Sequence, residues 1–322
     1  MNDTSFSQGL LLKRYSGSVL PDVFVALQQP EKQLCIASLV SDSIEIDISQ
    51  FDCLQEIQIE LVQDPDKSDK KILVFKLTNN QHKDIFSVLC EDLIQHIAAE
   101  ANEKLLVKTL LNRFEKWKTL FTKIASGGLS PEEQRGLFGE LYFLRKYLHH
   151  NSNFSEVLNS WVGPGSEVRD FQRNNWALEV KTTHGSNHQK IQINSERQLD
   201  ITHLERLYLY HVSLEKVQES GETLNQIVAA ITLLLDSDLI AVNRFRSKLL
   251  EAGYFQQHFS AYDSIGYFIR QDTFYLVENE FPRIQENEIR SGVGDVKYSI
   301  ISSQCEDFKQ TEQSVFETIT LQ

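Results

Sequence analysis

The stretch VRDFQRNNWALEVKTT, residues 168–183, constrains the fold more tightly than any other part of the chain. Its Asn174-Asn175 pair suits a two-residue hairpin turn, because asparagine tolerates the positive φ angles that a type I′ turn requires. Such a turn pairs Arg173 with Trp176, and counting outward places Asp170 opposite Glu179. Side chains alternate along a strand, so Glu179 and Lys181 share a face with Ala177 at the sheet edge, while Trp176, Leu178 and Val180 point into a core. Like charges directly opposed in a sheet destabilise it by roughly 0.2–1 kcal/mol, and by more when partly buried. A divalent cation between the two carboxylates would remove that conflict.

Oxygen ligands with waters are what Mg²⁺ prefers, so Asp170 and Glu179, joined by the Val180 carbonyl, form a candidate metal set; Mn²⁺ is a substitute. Lys181 projects beside that ion, where an ammonium orients an attacking water and stabilises transition-state charge. A further acid comes from an earlier helix. SPEEQRGLFGELYFLRKYL opens with Ser130 as N-cap, Pro131 at the first helical position and Glu133 closing a capping box, and runs to about Leu148. On its wheel Glu140 falls inside the apolar arc of Leu137, Phe143, Leu144 and Tyr147, where an unpaired carboxylate is costly. His188, Lys190, Ser195 and Gln198 follow the hairpin as weaker candidates for substrate contact, with an ordinary polar turn as the plainer reading. The bland alternatives are a solvent-facing charged strand edge for Glu179 and Lys181 and an ordinary salt bridge for Glu140. Trp161, Trp176 and Tyr142 read as core.

Upstream, DVFVALQQ, QLCIASLV, IQIELVQ and KILVFKL are apolar runs separated by polar segments such as DPDKSDKK, which predicts an N-terminal β-rich domain over residues 1–80. Apolar residues recurring at three and four (Ile85, Val88, Leu89, Leu93, Ile97) predict long amphipathic helices as a connector over 81–126. The hairpin and capped helix belong to a core over 127–215. Residues 216–322 form an α/β region completing or flanking it, with helices near Thr223–Leu235 and Leu239–Glu251, strand runs YFIR, TFYLV and VKYSIIS, and a break at Phe281-Pro282-Arg283. The fold class is α/β (α+β).

No stretch approaches a membrane span, and the four cysteines lack metal-ligand spacing, so a soluble, cytoplasmic chain with no membrane partner is expected. The net charge is −13, which opposes a simple polyanion binder. Residues 101–150 nevertheless hold nine Lys or Arg against five acids. Local contact with nucleic acid, or a merely solvated helix face, both fit that excess.

Gly139-Glu140 on a helix, then Asp170, then Glu179-Val180-Lys181 on a strand, resembles the PD-(D/E)XK nuclease superfamily. RGLFGELYFL, SWVGP, Asp170-Phe171, EVKTT, INSERQL and FPRI narrow the resemblance to a family often encoded beside restriction and phage-defence genes. Arg169 stands where a proline often precedes the first acid. The resemblance implies a restriction-endonuclease-like core with a central mixed sheet flanked by helices, Mg²⁺ dependence and DNA cleavage. By matching position, Asp170 and Glu179 would be metal ligands, Lys181 the catalytic lysine, Glu140 the helix acid and Gln198 a core-strand glutamine. It points to an endonuclease of a restriction or anti-phage system, working on DNA with a protein partner. A catalytically silent DNA-sensing or scaffold subunit and an enzyme acting on RNA remain as alternatives, and homo-oligomerisation stays open.

Overall fold

The computed structural model describes residues 9–51, 56–125, 128–165, 168–185, 189–255 and 258–320. Its chain divides into two compact units, residues 1–126 and 127–322.

In the first unit β1 (Gly9–Arg14), β2 (Val23–Gln29), β3 (Gln33–Ser41), β4 (Ile57–Gln63) and β5 (Lys70–Leu77) form an antiparallel sheet in the order β1-β2-β3-β5-β4. Continuous apolar runs occupy the interior strands β3 and β5, as strands covered on both faces require. Two helices, α1 (Lys83–Ile97) and α2 (Glu103–Ala125), follow. Phe114 of α2 packs its ring 5.1 Å from that of Phe75 on β5. Asp92 of α1 accepts hydrogen bonds from Arg113 Nε at 2.6 Å and Trp117 Nε1 at 2.8 Å, fixing the helix pair. The two amphipathic helices thus pack within the first unit, on the β-sheet that precedes them.

The second unit opens with α3 (Pro131–His150) and α4 (Phe154–Ser160). Its N-terminus is the predicted one: the Ser130 side chain accepts from the Glu133 N–H, and the Glu133 side chain accepts from the Ser130 N–H. Next come β6 (Phe171–Arg173), β7 (Trp176–His184), β8 (Lys190–Ile193), β9 (Arg206–Gln218) and β10 (Glu222–Thr223). Helices α5 (Leu224–Leu234), α6 (Leu239–Glu251) and α7 (Phe259–Asp263) then lead to β11 (Ile265–Leu276), β12 (Tyr298–Ile301), β13 (Lys309–Gln310) and α8 (Glu312–Thr320). The central sheet runs β10-β11-β9-β7-β6, with β13 beside β11. Only β7 and β9 are parallel; the other neighbours are antiparallel. This is the mixed sheet flanked by helices that the family resemblance implies. YFIR and TFYLV turn out to be one strand, β11, whose register shifts between Ile269 and Gln271, because a bulge lets one strand carry two out-of-phase apolar runs.

Both faces of the sheet are covered. Trp176, Leu178 and Val180 of β7 join α3, α5, α6 and α8 in a large core that includes Leu137, Phe143, Ile227, Phe245 and Phe316. Ala177 on the opposite face joins Ile191, Ile193, Leu209, Tyr275, Phe281 and Ile300, where the ribbon of β8 and β12 lies. Alternation along β7 follows the sequence, but the Glu179 face is no exposed edge: a second apolar layer lies on that side.

Candidate active site

Three local devices assemble the site. The first is the hairpin. Arg173 pairs with Trp176 and Phe171 with Leu178, as the count from the turn requires. The turn itself is not type I′, which needs positive φ at both central residues; only Asn174, at φ 48°, has one. Asn175 is drawn instead toward the start of β9, where its carbonyl accepts the Glu205 N–H at 2.7 Å.

Beyond Phe171 the ladder of β6 ends, and the Asp170 side chain replaces it. Its Oδ2 accepts the Val180 N–H at 2.7 Å, while its backbone carbonyl accepts from Val162 and Gly163, each at 2.9 Å. In an antiparallel pair a residue's N–H and C=O project to the same side, so the Val180 carbonyl faces Asp170 as well.

The second device is glycine. A Cβ at Gly139 would fall 2.3 Å from Thr182 Cγ2 and 3.3 Å from Val180 Cγ1. Its absence lets α3 lie directly on β7 and carries Glu140 to the end of the strand pair. At Gly163 a Cβ would fall 3.0 Å from Glu140 Oε2 and 3.1 Å from Asp170 Oδ1. Glu140 and Asp170 therefore converge on one spot that only a glycine leaves open.

The third is the segment after α4. Trp161, fully buried, donates its Nε1–H to Glu140 Oε2 at 2.8 Å, and the Trp161 carbonyl accepts from Lys248 Nζ of α6. The partner of Glu140 is thus an indole in this structure. Trp161 is core, as its sequence suggests, and also the donor to Glu140, a role for which the SWVGP motif is the available signal.

Glu179 is 1% exposed. Its Oε1 lies 2.7 Å from Lys181 Nζ, and its Oε2 is buried without a hydrogen-bond partner. Burial, and then the nearby Asp170 charge, push the Glu179 carboxyl up to about 8. Burial followed by the charge of Asp170 holds Glu140 well above the usual carboxylate range, and burial raises Asp170 against the pull of Lys181 and the Val180 N–H. Burial alone would lower Lys181, but Glu179 and Asp170 outweigh it and its pKa is raised. Three acids around one buried cation are short of positive charge.

The donor set fits a hard divalent cation. It offers only oxygens, one of them an orphaned buried carboxylate oxygen on Glu179, and an opening at Gly163 beside two more. No group of three or more His, Cys, Asp or Glu side chains among the described residues is arranged to enclose a metal unaided. Asp170, Glu179 and the Val180 carbonyl would hold an ion partly, leaving positions to water and substrate, which is how Mg²⁺ is usually bound.

Of the weaker candidates, Ser195 and Gln198 have local partners. Lys190 starts the ribbon strand β8 opposite Ile301. Ser195 Oγ caps the following turn by accepting the Arg197 N–H at 3.2 Å, and Gln198 Oε1 accepts the Asn194 N–H at 3.0 Å. His188 lies outside the described residues.

A mixed sheet whose edge hairpin presents Asp170, Glu179 and Lys181 beside an acid from the preceding helix defines a domain of the PD-(D/E)XK type, a superfamily made up generally of nucleases that typically use divalent metals. The family model described as "Putative PD-(D/E)XK family member" (DUF4420) matches residues 1–303, and the chain belongs to that family. No curated protein and no solved structure matches it. No helix among the described residues is long and apolar enough to cross a membrane.

Proposed function

We propose that this protein is a metal-dependent endodeoxyribonuclease, hydrolysing phosphodiester bonds as part of a restriction or anti-phage system. The observation that carries the reading is the gathering of Glu140, Asp170, Glu179 and Lys181 where β6 ends beside β7. Asp170, Glu179 and the Val180 carbonyl are the proposed ligands of Mg²⁺, with Mn²⁺ as substitute. When bound, such an ion supplies a Lewis acid for a phosphate oxygen and lowers the pKa of a coordinated water.

The chain's own residues do the rest. Lys181 keeps its proton at neutral pH, so Nζ is a fixed positive charge where negative charge grows on the phosphate. Glu140, held by the Trp161 indole, keeps its carboxyl in place beside Asp170 and accepts a proton readily, since its pKa is raised. Water oxygen bonds to phosphorus and gives one proton to Glu140, the bond from phosphorus to the leaving oxygen breaks, and that oxygen takes a proton from solvent water. The overall negative charge favours a protein partner that helps hold the DNA.

Cleavage of plasmid and linear DNA in Mg²⁺ or Mn²⁺ tests the proposal, with wild type and Lys181→Ala compared side by side. Metal-dependent cutting that the variant loses supports it. Equal cutting by both proteins removes Lys181 from the mechanism, and an inert wild type, with its genomic neighbours added, removes the activity.

A further inference from the structure

The long helix of the first unit, α2, carries six Lys or Arg against two Glu, in a chain whose net charge is −13. Its apolar face is buried through Leu106, Val107, Leu110, Phe114 and Trp117. The same helical period leaves an opposite face to water, where Lys104, Lys108, Asn112 and Lys116 follow one another at intervals of four and are all exposed. Residues four apart are neighbours on a helix surface, so the three ammonium groups belong to one inclined row.

The other described charges of α2 are already paired. Glu103 Oε1 lies 2.6 Å from Lys70 Nζ, and its Oε2 accepts the Ser41 N–H at 2.8 Å. Glu115 lies 3.5 Å from Lys118, and Arg113 lies 2.6 Å from Asp92 of α1. Among the described residues, Lys104, Lys108 and Lys116 have no ion pair and no side-chain hydrogen bond. Farther along the basic stretch at 101–150, on α3, Arg145 is paired with Glu222 and Lys146 with Asp272 and Glu312. The lysine row of α2 is therefore positive charge that the fold does not use.

An ammonium is a point charge that needs only proximity to a phosphate oxygen. At 1.5 Å per residue the row from Lys104 to Lys116 is about 18 Å long, the length over which a duplex presents about ten phosphate charges. A protein partner fits the face less well. Protein interfaces are anchored by buried aromatic and apolar side chains and are poor in lysine, and Leu105 is the only large apolar side chain exposed on α2 among the described residues.

We infer that the outer face of α2 holds duplex DNA by its backbone, through Lys104, Lys108 and Lys116, without reading its sequence. The inference rests on the nuclease reading for the identity of the polyanion, and it gives the first unit a part in that function. A merely solvated face would leave DNA affinity and its salt dependence untouched.

The test measures anisotropy of a short fluorescein-labelled DNA duplex with the full chain in EDTA, where nothing is cut, over a range of salt concentrations. Lys104→Gln/Lys108→Gln/Lys116→Gln should lower the slope of log affinity against log salt by about 2–3 and weaken binding at low salt by roughly tenfold or more. A control of equal charge change, Lys13→Gln/Lys32→Gln/Lys67→Gln, removes exposed lysines elsewhere in the first unit and should keep the wild-type slope. Should the triple α2 variant fail to fold, its three single variants decide, each expected to lower the slope by about one. An unchanged slope in the α2 variants, an equal drop in the control, or a wild type that binds single-stranded RNA but not the duplex overturns the inference. Metal-dependent cutting by the wild type in any of those cases leaves the nuclease reading standing. A wild type that binds the duplex through these lysines and never cuts it overturns the nuclease reading alone.

Discussion

Gly139 on α3 lies against Thr182 on β7 so closely that a methyl group at Gly139 would come within 2.3 Å of Thr182 Cγ2. That approach sets the distance from the helix acid to the strand acids. Gly139→Ala must push helix and strand apart, and overpacking of this kind costs about 1–3 kcal/mol. Thermal unfolding should show the loss. Cleavage by the still-folded variant should fall further than by a core substitution of equal stability elsewhere, since small displacements of reacting groups cost rate heavily. Activity equal to that stability control would detach the helix position from the chemistry.

Removing one partner of a buried ion pair costs more than removing both. At pH 9, above the Glu179 value of about 8, where that carboxyl is ionised, Lys181→Met should therefore destabilise the metal-free protein more than the double variant Glu179→Gln/Lys181→Met, by about 1–3 kcal/mol. Denaturant melts of the two single variants and the double one give the coupling. Additive effects would show that the 2.7 Å contact between Glu179 and Lys181 carries no net interaction.

Trp161→Phe keeps the ring in the core but removes the donor to Glu140. A buried carboxylate that loses its partner costs about 1.5–3 kcal/mol, so the variant should melt lower. Glu140→Leu in the same background should recover part of the loss, because no carboxylate is then left unpaired. A wild-type melting temperature for Trp161→Phe would mean the indole bond is not what holds Glu140.

Glu179 is raised from 4.5 to about 8 in the fold. Between those values the folded state binds a proton that the unfolded chain does not, so stability falls as pH rises across that window. The contribution is complete below the unfolded value and is lost once pH passes the folded one. Metal-free protein should melt roughly 5 °C or more higher near pH 5.5 than near pH 8.5. Saturating Mg²⁺ should flatten the profile, since a cation compensates the ionised carboxylates. A melting temperature that rises with pH in EDTA would contradict the burial of Glu179.

Much of the architecture was legible in the chain. The capping box at Ser130 and Glu133, the start of α6 and the register of Arg173 with Trp176 rest on contacts a few residues apart, so local sequence carries them. The period-two alternation of β7 likewise separated Glu179 and Lys181 from Trp176, Leu178 and Val180. Other features depend on segments that meet only in space. The type I′ turn gave way because the Asn175 carbonyl is taken by the start of β9. The second apolar layer from β8, β12 and Phe281 buries Glu179, and no property of the EVK triplet announces that. Trp161 became the partner of Glu140, and Arg169 Nη2 came to the Asp200 carbonyl, through packing that joins segments 21 and 31 residues apart in the chain. The sequence by itself determined which groups could do chemistry and on which strand face they stand, since backbone geometry fixes both. Only the tertiary structure decided that Glu179 is buried, that the cluster is short of positive charge and that Glu140 and Asp170 meet beside Gly163, because desolvation and long-range contact exist only once the layers have closed.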